Sequence, residues 1–300
     1  MTLARKDLFR AFLKKHGFHT PISESFYKIE DAREFAQSLG TPFMVKPVDS
    51  SGTKGVRKIE DMELFDHAFE YALGFSREKK IVIEEFFQRS GYQVAGDGFV
   101  VGGQLVFRCF ANEHFDYLVN AHVPIGESFP CVAEDWQQEE AHSETQRLLS
   151  LLGMNDGALN FDFHFDRNGK FSFLELGPRN GGNLIPEVIH HATGVDLVKY
   201  TVDSALGLDC GSLKMTPAQG FHSSYMVHAI KDGVVQEIWY SDRMKDKILE
   251  ETLYVNAGDI VQKFDGSNQT LGTMILKFDS REEMLSMMDH MEEDFRVITK

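Results

Sequence analysis

The stretch NFDFHFDRNGKFSFLELGPRNGGN, residues 160–183, constrains the fold more than any other part of the chain. Residues 161–165 and 171–176 read as two strands joined across DRNG, with Asn168-Gly169 as the turn. Asp162 stands near the start of the first strand and Glu175 near the end of the second, each flanked by apolar residues. Antiparallel pairing brings those ends together. Two readings are open. The carboxylates are a cross-strand polar pair on a solvated face, or they face inward. Half-buried carboxylates repel without a cation, and a hard divalent ion with phosphate ligands needs only one or two of them.

Around this hairpin the chain reads as α+β. Helices are expected at 6–16, with Leu8, Phe9, Phe12 and Leu13 on one face, and at 31–39 and 62–73. Strands are expected at 43–48, 56–59 and 81–87. Beyond Gly91 come short strands at 99–101 and 105–109, then helices at 137–152, 184–192 and 197–206. After Gly207, SYMVHAIKDGVVQEIWY predicts a hairpin turning at Asp232-Gly233. SREEMLSMMDHMEEDF predicts a helix with Ser280 and Glu283 as a capping box. Its Met284, Met287, Met288 and Met291 suit adaptable core or a subunit contact. Of His190 and His191, about 100° apart on a helix, one is expected to pack and the other to face solvent.

The formal charge of −15 excludes a general nucleic-acid surface. No run is long and apolar enough for a membrane span, and no signal-peptide core is visible. Cys109, Cys131 and Cys210 are scattered, which fits reduced thiols and a cytoplasmic location. No P-loop, dinucleotide fingerprint, serine elbow or HExxH occurs, although GESFP at 126–130 approaches the elbow pattern.

Two further stretches can carry chemistry. In KPVDSSGTKGV, residues 46–56, Lys46 ends an apolar strand and a long glycine loop follows. It is either a loose connection with a solvated lysine or an anion cradle. In the cradle, Gly52 and Gly55 admit close backbone approach, Ser50, Ser51 and Thr53 donate, and Lys46 supplies charge. In IVIEEFFQRSGYQ, residues 81–93, a strand runs into Glu84, Glu85, Phe86 and Phe87. Either it simply leaves the core, or its backbone meets an adenine edge and Gln93 reaches a ribose hydroxyl.

In this order the pieces resemble the ATP-grasp superfamily over residues 3–207. The helix at Lys6 resembles its DK helix, with Arg5 for the usual aspartate. MVKPVDSSGTKGV resembles its lysine and glycine loop, VIEEFF its adenine connector, FLELGPRNGG its metal strand, and IPEVIHHATGVDLVKY the helices that follow. The resemblance implies an α+β ATP-grasp fold: subdomains 1–88 and 89–207 gripping ATP, with a β-rich closing domain, 208–300, as in the carbamoyl-phosphate-synthase-like and biotin-carboxylase-like branch. It implies that the glycine loop closes over the phosphates, that Lys6 and Lys46 hold them, and that Glu84, Glu85, Phe86 and Phe87 frame adenine. Gln93 stands where the family has a ribose-binding glutamate. Asp162 and Glu175 would hold Mg²⁺, with Mn²⁺ as an alternative ion. Arg179 would steady an acyl phosphate or a substrate carboxylate. Arg108 and His114 lie where another phosphate-facing group is found.

The family's metal-binding asparagine is replaced by Gly177, so that either Glu175 bridges two ions alone or Asn180 or Asn183 supplies that oxygen. The implied reaction joins a small-molecule carboxylate to an amine at the expense of ATP. The alternatives are a non-catalytic nucleotide-binding subunit or sensor, and a bicarbonate-activating enzyme. The family's α/β domain ahead of the DK helix is not seen before Lys6, so a homodimer or partner subunit is expected to supply it, or the chain is a fragment.

Overall fold

The computed structural model describes residues 2–300. They pack as two units: the chain up to Ser90 with His164–Glu175, and Gly91–Phe163 with Leu176–Lys300.

In the first unit the order is α1 (Lys6–Lys15), β1 (Ser23–Phe26), α2 (Ile29–Leu39), β2 (Phe43–Pro47), β3 (Arg57–Ile59), α3 (Phe65–Phe75) and β4 (Ile81–Glu85). The strands form an antiparallel sheet ordered β1-β4-β2-β3. Alternation along the pleat turns Phe43, Val45, Ile81 and Ile83 toward Ala32, Ala36, Phe65 and Phe69 of α2 and α3. The helix expected from 62 begins instead as a 3₁₀ turn over Met62–Leu64, with the Asp61 side chain accepting from Glu63 N. On α1 the buried set is Phe9, Arg10 and Leu13, while Leu8 is exposed. An arginine therefore replaces a leucine on the inner face, because its guanidinium finds acceptors there.

The second unit continues with β5 (Val94–Val101), β6 (Gln104–Phe115), β7 (Pro124–Phe129), α4 (Asp135–Leu152), β8 (Gly157–Phe165) and β9 (Phe171–Gly177). Helices α5 (Ile185–Thr193) and α6 (Leu197–Ala205) follow, then β10 (Phe221–Val227), β11 (Gly233–Tyr240) and α7 (Asp242–Lys245). The chain ends with β12 (Ile248–Leu253), β13 (Ile260–Val261), β14 (Gly272–Phe278), α8 (Arg281–Asp289) and β15 (Phe295–Thr299). An eight-stranded sheet runs β12-β14-β10-β7-β6-β5-β8-β9, and a small one runs β13-β11-β15. The end of β8, the turn and β9 as far as Glu175 belong with the first unit. Its turn is held by Asp166, which accepts from Asn168 N and Lys170 N, with Gly169 at φ 75°. Residues 208–300 pack in the same unit as 91–163.

Two expectations for the strands are corrected. Strands β5 and β6 are much longer than 99–101 and 105–109 because they carry buried polar residues. Asp97, Asn112, Glu113 and His114 are all buried within them. The hairpin at Asp232-Gly233 does not form: β10 pairs with β14 and β7, whereas β11 pairs with β13 and β15. Burial decides this. Every residue from His222 to Val227 is buried, so β10 takes an interior place, while Gln236 and Glu237 leave β11 half-solvated.

Helix α8 closes one core with Met284, Met287 and Met288, joined by Met291 from the 3₁₀ turn Met291–Glu293, all buried against β10 and β14 residues such as Tyr225, Met274 and Leu276. Ser280 Oγ accepts from Glu283 N, while Glu283 Oε2 accepts from Asp279 N at 2.8 Å, one residue ahead of the expected box. His190 and His191 are both exposed, and His191 pairs with Glu250.

A polar relay also joins β6, β7 and α8. Ser128 Oγ lies 2.8 Å from His114 Nε2, and His114 Nδ1 lies 2.7 Å from Asp289 Oδ1. Tyr92 donates to the other Asp289 oxygen. Ser128 is 0% exposed and His114 1%, so this Ser-His-Asp order is a buried structural network and not a nucleophile within reach of substrate.

Candidate functional site

In the first unit, β2 and β4 set Lys46 and Glu84 on one face, because Met44 lies opposite Glu84 in the ladder and Lys46 follows two residues on. Lys46 Nζ pairs with Glu84 Oε1. Arg10 Nε donates to Glu84 Oε2 at 2.8 Å, and its remaining nitrogens reach the carbonyls of Phe173 and Leu174 at 2.9 and 3.2 Å. Burial opposes the Glu84 charge, but Arg10 and Lys46 hold its carboxyl well below the ordinary range. Glu84 is thus a fixed counter-ion beneath Lys46.

The glycine loop leaves β2 directly after Lys46. Its root is tied by Asp49, which accepts from Ser76 Oγ, Arg77 N and Glu78 N. Gly52, Thr53 and Gly55 have φ of 64°, 60° and 78°. A Cβ on Gly55 would come within 2.7 Å of Pro47 Cγ, so glycine is required there on two counts. Ser51 and Gly52 are exposed. Lys6 Nζ donates to Ser50 O at 2.6 Å and lies 3.7 Å from Glu175 Oε2. Lys6, Ser50 and Glu175 are therefore gathered at the base of this loop.

Past β4 the connector is pinned through Glu85, whose N–H donates to Ile22 O at 2.9 Å and whose Oε2 accepts from Ile22 N at 3.3 Å. Phe87 stacks on His19 with centroids 5.0 Å apart and lies 5.8 Å from the His164 ring. Phe86 takes another direction, beneath Lys58 Nζ at 4.5 Å. His164 is buried; burial first, then Lys46, Arg10 and Arg89, push its imidazole down to about 4, so it is neutral at pH 7. Its Nε2 has no partner among the described residues.

In the second unit, Gln93 Nε2 donates to Asp162 Oδ1 at 2.9 Å and also to Glu113. Gln93 is thus gathered with a candidate metal carboxylate. Glu127 stands in the same charged surroundings. Burial, then Asp97 and Asp162, push its carboxyl well above the usual range against the pull of Arg179. Arg179 and Asn180 occupy the turn between β9 and α5. The Arg179 side chain covers Gly177, where a Cβ would sit 3.4 Å from Arg179 Cγ, and Arg179 Nη1 donates to Asn180 O at 2.7 Å. Asn180 Nδ2 donates to Thr201 Oγ1 at 3.0 Å, while its buried Oδ1 has no partner among the described residues. Arg108 pairs with Glu139 and meets His142 Nδ1 at 3.2 Å, and His114 is spent in the relay. No group of three or more His, Cys, Asp or Glu that could hold a metal occurs among the described residues.

The family model described as the carbamoyl-phosphate synthase L chain, ATP binding domain, matches residues 5–212. The chain belongs to this family, within the ATP-grasp superfamily. Among curated relatives, the N-terminal section of the carbamoyl phosphate synthase large chain of Methanopyrus kandleri is 29% identical over 211 residues. That match covers 68% of this chain and 36% of the relative, so the chain spans about a third of the relative's length.

Two solved structures share this ATP-grasp fold. An L-amino acid ligase from Bacillus licheniformis superposes with a TM-score of 0.79 at 16% identity, over 100% of this chain and 73% of that one. The biotin carboxylase domain of the Hydrogenobacter thermophilus 2-oxoglutarate carboxylase, in complex with MgADP and bicarbonate, gives 0.73 at 16% identity, over 99% and 67%. No helix of the described residues is long and apolar enough to cross a membrane.

Sequence reasoning missed Arg10, Asp97, Glu127 and His164. Arg10 stands between Phe9 and Leu13 and Asp97 between two glycines, but nothing in either local pattern names the distant partners that keep them buried.

Proposed function

We propose that this ATP-grasp chain is a Mg-ATP-dependent ligase that joins a carboxylate to an amine. The observation that carries the reading is the pairing of Lys46 with a buried, fully ionised Glu84 at the foot of a positive-φ glycine loop. Such a lysine is a positioned point charge for phosphate, and the exposed loop tip can close over it. Lys6 adds a second charge, with Ser50, Ser51, Gly52, Thr53 and Gly55 around the phosphates. The backbone of Glu84, Glu85, Phe86 and Phe87 would meet the adenine edge, with the Phe87 ring on its His19 stack, and Gln93 would serve the ribose.

Asp162 and Glu175 would hold Mg²⁺, or Mn²⁺ in its place. The partnerless Asn180 Oδ1 fits a further cation ligand where Gly177 offers none. When bound there, the ion would supply positive charge to the phosphate oxygens. An oxygen of the substrate carboxylate forms a bond to the γ-phosphorus as the bond to ADP breaks. The amine then forms a bond to the acyl carbon, loses a proton and expels phosphate. Arg179 would steady the acyl phosphate or a carboxylate through its remaining N–H groups. The protein's own part is to position and neutralise.

The test is ADP release from Mg-ATP across panels of small carboxylates and amines. Release that needs both partners, and is abolished by Glu175→Gln, supports the ligase. A second reading, a nucleotide-binding subunit that does not turn over, is favoured by Gly177 and the Arg179 side chain packed over it. It is supported instead if Mg-ATP binds and no panel releases ADP. Bicarbonate-stimulated release without an amine would point to a bicarbonate-activating enzyme.

A further inference from the structure

Asp97 lies on β5 between Gly96 and Gly98 and is 0% exposed. Both its carboxylate oxygens lie 2.8 Å from the backbone nitrogen of Gly181. Asn160 Nδ2 donates to Asp97 Oδ1 at 3.0 Å and to Gly96 O at 3.2 Å, closing a small buried network. Gly181 follows directly on Arg179 and Asn180 in the turn from β9 to α5. A Cβ at Gly181 would stand 2.9 Å from Ile185 Cβ and 3.0 Å from Asp97 Oδ1, so only glycine lets the turn approach this closely.

A buried carboxylate is costly, and here no side-chain cation bonds to it; a backbone N–H and an amide meet its charge. Burial pushes the Asp97 carboxyl up to about 7, against the opposing pull of Gly181, Asn160 and Arg179.

We propose that Asp97 is a positioning residue whose buried carboxylate pins the Gly181 amide and so fixes Arg179 and Asn180 at the end of β9. Its catalytic consequence rests on the roles proposed above for Arg179 and Asn180; the anchoring itself does not.

The test compares wild type, Asp97→Asn and Asp97→Ala by amide exchange at residues 179–182 and by steady-state ADP release from Mg-ATP. Exchange at Gly181 is expected to speed up roughly ten-fold or more in Asp97→Ala, where the acceptor of its N–H is lost. It should speed up less in Asp97→Asn, whose amide oxygen still accepts. The kcat should fall in the same order while KM for ATP stays within about two-fold. Gly181→Ala, which drives a Cβ into the same contact, should reproduce the pattern and serves if Asp97→Ala does not fold. Unchanged exchange at Gly181 in the folded variants overturns the anchor. Faster exchange with an unaltered kcat overturns the positioning role. Wild-type protein that releases no ADP with any pair refutes the ligase reading, while the exchange measurement still decides the anchor.

Discussion

Replacing Glu84 by glutamine removes one charge from between two cations and little else. Glu84 is 2% exposed and Arg10 4%, and the Arg10 guanidinium also spans the Phe173 and Leu174 carbonyls, so it cannot turn to water without breaking them. Breaking a buried ion pair from one side costs about 3–5 kcal/mol because the remaining charge is stranded. Glutamine keeps an oxygen for Arg10, which favours the lower end, about 3 kcal/mol. With about 2–4 °C of melting temperature per kcal/mol in a folded body of 150–250 residues, the transition of this chain should fall by roughly 6 °C.

The sign with pH follows. The folded carboxyl is held well below its ordinary value of 4.5, so its contribution is present above 4.5 and is lost as pH falls below it. Thermal melts of wild type and Glu84→Gln should therefore be far apart at pH 7 and converge below about 4.5. A shift under 2 °C at pH 7, or a gap that ignores pH, would refute the buried counter-ion argument.

Two other outcomes follow from the same geometry. Lys46→Ala should weaken Mg-ATP binding by roughly ten-fold or more in calorimetry, because a charge-assisted phosphate contact disappears; an unchanged Kd would take Lys46 out of the site. Ser128 should resist a fluorophosphonate probe in the native protein despite its triad-like neighbours, since it is 0% exposed; stoichiometric labelling at Ser128 detected by mass spectrometry would show that the relay opens to solvent.

The Asp162–Glu175 hairpin and the Lys46 strand with its glycine loop were legible because their signals are local: alternating phenylalanines, an Asn-Gly turn, and glycines at positive φ. The partner of β10 was not. A turn dipeptide at Asp232-Gly233 says that the chain can reverse, but pairing is decided by burial of a whole strand against segments far away in sequence. The lengths of β5 and β6 were hidden for a related reason. Asp97, Asn112, Glu113 and His114 read as loop-like polar residues until their tertiary partners are known. Arg10 is the same case on a helix, since an amphipathic pattern assigns arginine to solvent unless a buried carboxylate awaits it. Glu127 left no local mark, because its surroundings arise from strands that meet only in the folded sheet.

The backbone passes from one unit to the other three times, after Ser90, Phe163 and Glu175. Severing it once, at the apparent seam, would therefore not yield a self-sufficient piece. A peptide ending at Ser90 would retain Arg10 and Glu84 but lack the Phe173 and Leu174 carbonyls that orient the guanidinium. Any attempt to transplant or complement this half of the protein has to carry the excursion 164–175 along with it, either grafted back by a short bridge or added as a separate strand pair.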